Sequence, residues 1–185
     1  LISYPFRYAT VISEAIPSDA QALITGIIGE GVAVNNHPDL GWIGSLTHLE
    51  GSNGYWFSTL SAISLTFNGC DEPGCASLSR EHSQKIITNP EGYEFAQSTK
   101  QAFYFIEDIE NIEIGDWILA YNSDKVIGAR EWTGSIFDIP AMGSDGSDYT
   151  KGYIEAGSVP QFKLLQDGEL INLEGNIPSW ENNQL

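Results

Sequence analysis

Basic side chains are scarce in this chain. Lys and Arg together number 8 against 25 Asp and Glu, a formal net charge of −17. Such a surface repels phosphate backbones and anionic lipid, which argues against nucleic acid and membrane insertion. Charged residues of both signs amount to 18%, below the roughly 25% of an average soluble domain. Long apolar stretches are missing too: nothing approaches the roughly 18 residues that a membrane helix needs. No Asn-x-Ser/Thr acceptor is present, and Asn68-Gly69-Cys70 is only its rare cysteine variant. No Gly-x-Ser-x-Gly elbow occurs, and none of His37, His48 and His82 has a nucleophile motif beside it. In a chain with 25 acids, carboxylate pairs arise by chance and do not mark a glycosidase. The sequence therefore predicts no enzyme. The single methionine is Met142. With no initiator and no signal peptide, and with an opening Leu1-Ile2-Ser3-Tyr4 that reads as the middle of a strand, the expectation is a mature or trimmed chain.

Only two cysteines occur, Cys70 and Cys75. Asp71-Glu72-Pro73-Gly74 lies between them, and a turn there brings the thiols within bridging distance. A local disulfide is expected, and with it an oxidising compartment. Closing so short a loop contributes about 2 kcal/mol. Zinc is the rival reading, but it needs more ligands than His82 supplies.

What the chain does have is turn and strand residues. Nineteen Gly, eight Pro, eight Phe, eight Tyr and five Trp within 185 residues fit short strands joined by tight turns. Residues 1–12 read as one strand. The stretch Ser13 to Ile24 reads as a short helix, with Pro17 in its first turn and Gly26 ending it. Ile27 to Val34 reads as a buried strand, Asn35 to Asp39 as a turn, and Trp42 to Leu49 and Tyr55 to Thr59 as strands of a hairpin around Glu50–Gly54. Ala62 to Phe67 alternates like a strand. Beyond a polar stretch, further strands are read at Ala102–Ile106, Asp116–Tyr121, Lys125–Arg130 and Ser135–Pro140. A final hairpin, Gln161–Leu165 with Glu169–Leu173, surrounds Asp167-Gly168. The fold expected is mainly β: two β-rich, sandwich-like modules with one short helix in the first. Their bounds are 1–67 and 93–185, with a linker over 68–92 that carries the cysteine pair. Gly41-Trp42-Ile43-Gly44-Ser45-Leu46 echoes Gly115-Asp116-Trp117-Ile118-Leu119-Ala120, too short a match to establish a repeat.

Several phrases stand out together. They are Leu1-Ile2-Ser3-Tyr4-Pro5, Ile28-Gly29-Glu30-Gly31-Val32-Ala33, Trp42-Ile43-Gly44-Ser45-Leu46 and Gly54-Tyr55-Trp56. Later come Ser98-Thr99-Lys100-Gln101-Ala102-Phe103-Tyr104-Phe105, Gly115-Asp116-Trp117-Ile118, Gly128-Ala129-Arg130-Glu131-Trp132, Pro140-Ala141-Met142-Gly143 and Gly152-Tyr153. Over most of its length the chain resembles a two-part module of large secreted and cell-surface proteins of environmental bacteria. It also resembles the subunits of extracellular glycoprotein fibrils from natural waters. The resemblance implies an extracellular or cell-surface location and brings no catalytic residues. It also motivates O-linked glycan in loops such as Ser98-Thr99 or at Thr150.

Three groups of residues are candidates for function. Asp138, Asp145 and Asp148, with Gly146, form a loop whose oxygen ligands suit calcium, although the EF-hand spacing is absent; a solvated turn held by Asx-type bonds is the other reading. Trp42, Trp56, Trp117, Trp132 and Trp180 are either core or a sugar-binding face, with Trp132 and Trp180 the candidates for glycan contact. Leu1, Ile2, Tyr4 and Phe6 are a candidate assembly strand that would pair with an open sheet edge of another copy, head to tail, giving a filament; an ordinary first strand of its own module reads equally well. The function expected is an extracellular structural subunit that polymerises with itself. The alternative is a carbohydrate-binding or adhesion module, with calcium as a candidate aid.

Overall fold

The computed structural model describes residues 1–69 and 89–185. Among the described residues strands account for 39% and helix for 7%, in several antiparallel sheets with two short helices. The chain divides into two compact units, Leu1–Ile87 and Thr88–Leu185. Most of the stretch read as a linker, with Cys70, Cys75 and His82, lies outside the described residues. Among the described residues no helix is long and apolar enough to cross a membrane.

The first unit contains β1 (Ile2–Ser3), β2 (Thr10–Val11), α1 (Ile12–Ala15), α2 (Ser18–Gln21), β3 (Ile24–Ile28), β4 (Ala33–His37), β5 (Gly41–Gly44), β6 (His48–Leu49) and β7 (Gly54–Thr59). Its main sheet has the order β1-β7-β3-β4-β5, and β2 pairs with β6. Several expectations are corrected here, each for a local reason. The strand read over 1–12 is two short strands. Tyr4 donates its N–H to Asn53 O at 3.2 Å, and the next residue, Pro5, has no N–H with which to continue. The single helix is likewise two. Ile16, ahead of Pro17, is extended at φ −107°, ψ 125°, as steric conflict with a following proline ring demands. Ile27 to Val34 is not one strand but the tip of the β3–β4 hairpin, closed by Gly29 N–H donating to Val32 O at 2.9 Å. Trp42 to Leu49 breaks after Gly44, whose φ of +138° only glycine adopts at ease; a Cβ there would come within 2.4 Å of Ala33 O. Ala62 to Phe67 forms no strand, although Ile63, Leu65 and Phe67 still pack on the unit's core of Tyr4, Ile12, Ile16, Ile24, Ile27, Leu49 and Tyr55.

In the second unit the strands fall close to where they were expected: β8 (Gln101–Ile106), β9 (Trp117–Asn122), β10 (Lys125–Glu131), β11 (Phe137–Met142), β12 (Gln161–Gln166) and β13 (Glu169–Leu173), with one 3-10 turn at Asp148–Thr150. They form a four-stranded sheet, β10-β9-β12-β13, and a two-stranded sheet, β11-β8. One core cluster draws on both: Ala102 and Tyr104 from β8, Ile118 and Ala120 from β9, Ile139 and Ala141 from β11, and Phe162 and Leu164 from β12. The other face of β9 is buried as well, with Leu119 and Tyr121 packed beside Ala129. Gly128 marks the seam between β10 and β11, because a Cβ there would lie 1.6 Å from Pro140 O.

Candidate functional site

The three aspartates proposed as calcium ligands do not form one site. Asp138, in β11, is fully buried and its Oδ2 lies 2.7 Å from Arg130 Nη2. Asp148 is exposed in the 3-10 turn. Asp145 is committed to the loop itself. Its Oδ1 accepts from the Thr150 hydroxyl at 2.7 Å and from Ser147 N–H at 3.0 Å, and its Oδ2 accepts from the N–H and hydroxyl of Thr99, both at 3.2 Å. Among the described residues no group of three His, Cys, Asp or Glu side chains is placed to hold a metal. The geometry is that of a clasp tying the 143–150 loop to the start of β8. These donors, the Thr150 hydroxyl first, hold the Asp145 carboxyl well below the usual carboxylate range, because they favour the ionised acceptor. The folded chain then binds a proton at Asp145 less readily than the unfolded chain. The clasp contributes fully above the ordinary Asp pKa of about 3.9, and its contribution is lost as pH falls below that value. Asp145→Asn is expected to flatten the acid side of the stability–pH profile, measured by urea unfolding at several pH values. An unchanged acid limb would count against the clasp.

The same loop constrains glycan attachment. Ser98 and Thr150 are buried. The Ser98 hydroxyl donates to Gly143 O at 2.7 Å, and the Thr150 hydroxyl is held by Asp145. Of the three hydroxyls considered for modification, only that of Thr99 belongs to an exposed residue.

The tryptophans sort differently from expectation. Trp180 is 2% exposed and donates its Nε1–H to Ala141 O at 2.9 Å, so it is a core residue and not a glycan contact. Trp132 is half-buried, edge-on to Phe137 at a centroid distance of 4.8 Å. Trp42 is half-buried and donates to Gln21 Oε1 at 3.1 Å, and Trp117 is half-buried too. The exposed one is Trp56, at 47%, between buried Tyr55 and half-buried Phe57 on β7. Three consecutive aromatics give no parity signal, so the sequence did not single it out.

The candidate assembly strand lies in its own unit. Ile2 and Ser3 pair with Tyr55 and Gly54 of β7. Tyr4 is buried and donates its hydroxyl to Thr10 Oγ1 at 2.7 Å. Phe6 is half-buried, edge-on to Tyr4 at 5.4 Å and stacked on Tyr8 at 5.5 Å. This placement corresponds to the ordinary-first-strand reading, with Ile2 exposed on a strand at the sheet border and Leu1 exposed just before it.

A second border strand, read in the sequence as half of the final hairpin but not as an edge, carries more. β13 is terminal in its sheet, and four of its five residues are exposed. Leu170 and Ile171 are 42% and 46% exposed. As neighbours they point to opposite faces. Ile171 stands opposite Leu164, a core residue, and Leu170 opposite Leu165. The apolar layers of the sheet thus run out to its edge and meet water. Natural edges are commonly guarded by Lys, Pro or a bulge; β13 reads Glu-Leu-Ile-Asn-Leu, with an unbroken register against β12. The adjacent apolar pair Leu170-Ile171 does not mark an edge in the sequence, since the internal strand β9 carries Ile118-Leu119 in the same way.

Set against models of protein families, curated proteins and solved structures, the chain matches none of them.

Proposed function

We propose that the chain is an extracellular structural module, a repeating subunit of a surface fibril whose copies join through sheet edges. The observation that carries this reading is β13, a terminal strand with Leu170 and Ile171 exposed, without Lys, Pro or a bulge. The border strand β1, with exposed Ile2 preceded by exposed Leu1, supplies an edge in the other unit. Two distinct edges on one chain are the minimum for an array that does not close. The net charge of −17 opposes association at long range, and salt screens it: the Debye length falls from about 30 Å at 0.01 M to about 3 Å at 1 M. Self-association, measured by sedimentation velocity and imaged by negative-stain electron microscopy, is expected to strengthen with salt. A monomer at every salt and protein concentration would sink the proposal.

A carbohydrate-binding module is the second reading, favoured by exposed Trp56. Trp56→Ala, folded but no longer retained on a glycan matrix that retains the parent chain, would support it.

A further inference from the structure

The backbone of β13 and its side-chain order together specify a partner. The turn Asp167-Gly168 has φ of +53° and +81°, the left-handed pair of a two-residue type I′ hairpin. Such a turn closes on a hydrogen-bonded pair, here Gln166 with Glu169, and paired positions then alternate. Glu169, Ile171 and Leu173 therefore direct their N–H and C=O groups toward β12. Leu170 and Asn172 direct theirs outward, toward solvent.

We infer that the occupant of this edge is β13 of a second copy, paired antiparallel about a two-fold axis through Ile171. This rests on the structural reading above and names the contact within it. Three features select the register. Centred on Ile171, both outward-facing residues are used, Leu170 bonding Asn172 of the second copy and the reverse. A centre on Leu170 or Asn172 spends one of these pairs on a residue beyond the strand. Second, the charges are compatible. Glu169 faces Leu173 of the second copy, and Glu174 faces Gly168 of the second copy, so no acid opposes an acid, an arrangement that would destabilise. For an assembly of two chains of charge −17 each, this is a demanding condition, and the five residues of β13 meet it. Third, Ile171 meets its own copy in a non-hydrogen-bonded pair, where side chains approach most closely. The core layer that ends in solvent at Ile171 is then continued by the same layer of the second copy. The result is one continuous sheet of twice the width, β10-β9-β12-β13 followed by its mirror order.

This contact is isologous. It departs from the head-to-tail pairing that the sequence suggested, and a second contact through the other unit is what would extend the pair into a fibril. The pairing is tested on the full chain. In the non-hydrogen-bonded position the two Cα atoms lie about 4.5 Å apart, inside the span of a disulfide. Ile171→Cys is expected to yield a covalent dimer under mild oxidation, above the baseline of the parent chain oxidised in parallel, and Asn172→Cys alone is not. Ile171→Lys places two ammonium groups opposite one another and is expected to weaken dimerisation by about tenfold or more. Because Ile171 is nearly half exposed, the fold should persist, as near-ultraviolet circular dichroism would show. Self-association that survives Ile171→Lys, with no crosslink at position 171, would overturn this pairing and leave the structural reading standing. A parent chain that stays monomeric and an Ile171→Cys chain that does not crosslink would overturn both.

Discussion

Trp180→Ala is expected to destabilise the second unit by about 3–5 kcal/mol, measured as a shift in its urea transition followed by near-ultraviolet circular dichroism. The indole is 2% exposed within the core cluster that includes Ile118, Ile139, Phe162 and Leu164. Its removal leaves a cavity lined by β-strand side chains that hydrogen-bonded backbone keeps from collapsing. It also removes the Nε1–H that now reaches Ala141 O at 2.9 Å, and the loss of one hydrogen bond to a buried oxygen adds to the cost. The backbone around the ring is fixed as well: Trp180 N–H donates to Ser158 O at 2.7 Å, and Gly157 N–H donates to Trp180 O at 3.0 Å. Gly143 is the other half of this contact. A Cβ there would come within 2.5 Å of the Trp180 ring, so Gly143→Ala alone should cost about 1–3 kcal/mol through overpacking. In the double variant the new methyl enters space the indole has left. The combined loss should then fall short of the sum, the mark of two residues in contact. Strict additivity, or a loss below about 1 kcal/mol for Trp180→Ala, is the result an exposed surface tryptophan would give.

Why that tryptophan was read as a glycan contact shows where sequence reasoning stops. Trp180 lies in a polar tail, Ser179-Trp180-Glu181-Asn182-Asn183, with no apolar period around it. Its burial comes from the glycine at position 143, which no local pattern connects to it. The second unit's strands were legible because turns announce them. Asn122-Ser123-Asp124 and Asp167-Gly168 separate alternating runs, and the structure places β9–β10 and β12–β13 on either side of them. The first unit was harder because proline and glycine act there inside apolar stretches. Pro17 cuts a helix in two, and Gly29 to Gly31 fold what looks like one strand into a hairpin. Edges were not legible at all. Sheet order is set by long-range pairing, such as Ile2 with Tyr55. Nothing within Glu169–Leu173 says that it has a neighbour on one side only. The aspartates failed for a related reason. Asp138 was read both in the strand Ser135–Pro140 and in a loop with Asp145; only the long-range pairing of that strand puts Asp138 beside a cation instead.

That cation sits at the seam where the two sheets of the second unit meet, and its removal should be felt strongly. Arg130 Nη2 lies 2.7 Å from Asp138 Oδ2, and Arg130 Nε donates to Asp138 O at 2.9 Å. One guanidinium thus holds both the side chain and the main chain of β11 against β10. The Asp138 side chain is 0% exposed and that of Arg130 is 16% exposed, so water screens the pair little. Arg130→Met keeps much of the side chain's volume but leaves a buried carboxylate without its counter-charge. The expected cost is about 3–5 kcal/mol, the usual penalty for breaking a buried pair from one side. Arg130→Lys retains the charge but not the planar fork that reaches two acceptors at once, and should recover only part of the loss. The double variant Arg130→Met/Asp138→Leu separates charge from packing. If the penalty is that of an uncompensated carboxylate, removing the carboxylate as well restores a large share of the stability, because a buried pair replaced by apolar residues of similar volume is often close to neutral. If the double variant is as unstable as the two single losses combined, the pair acts through shape, holding β10 and β11 at the separation that Gly128 requires. The seam would then be a packing constraint in which charge plays little part.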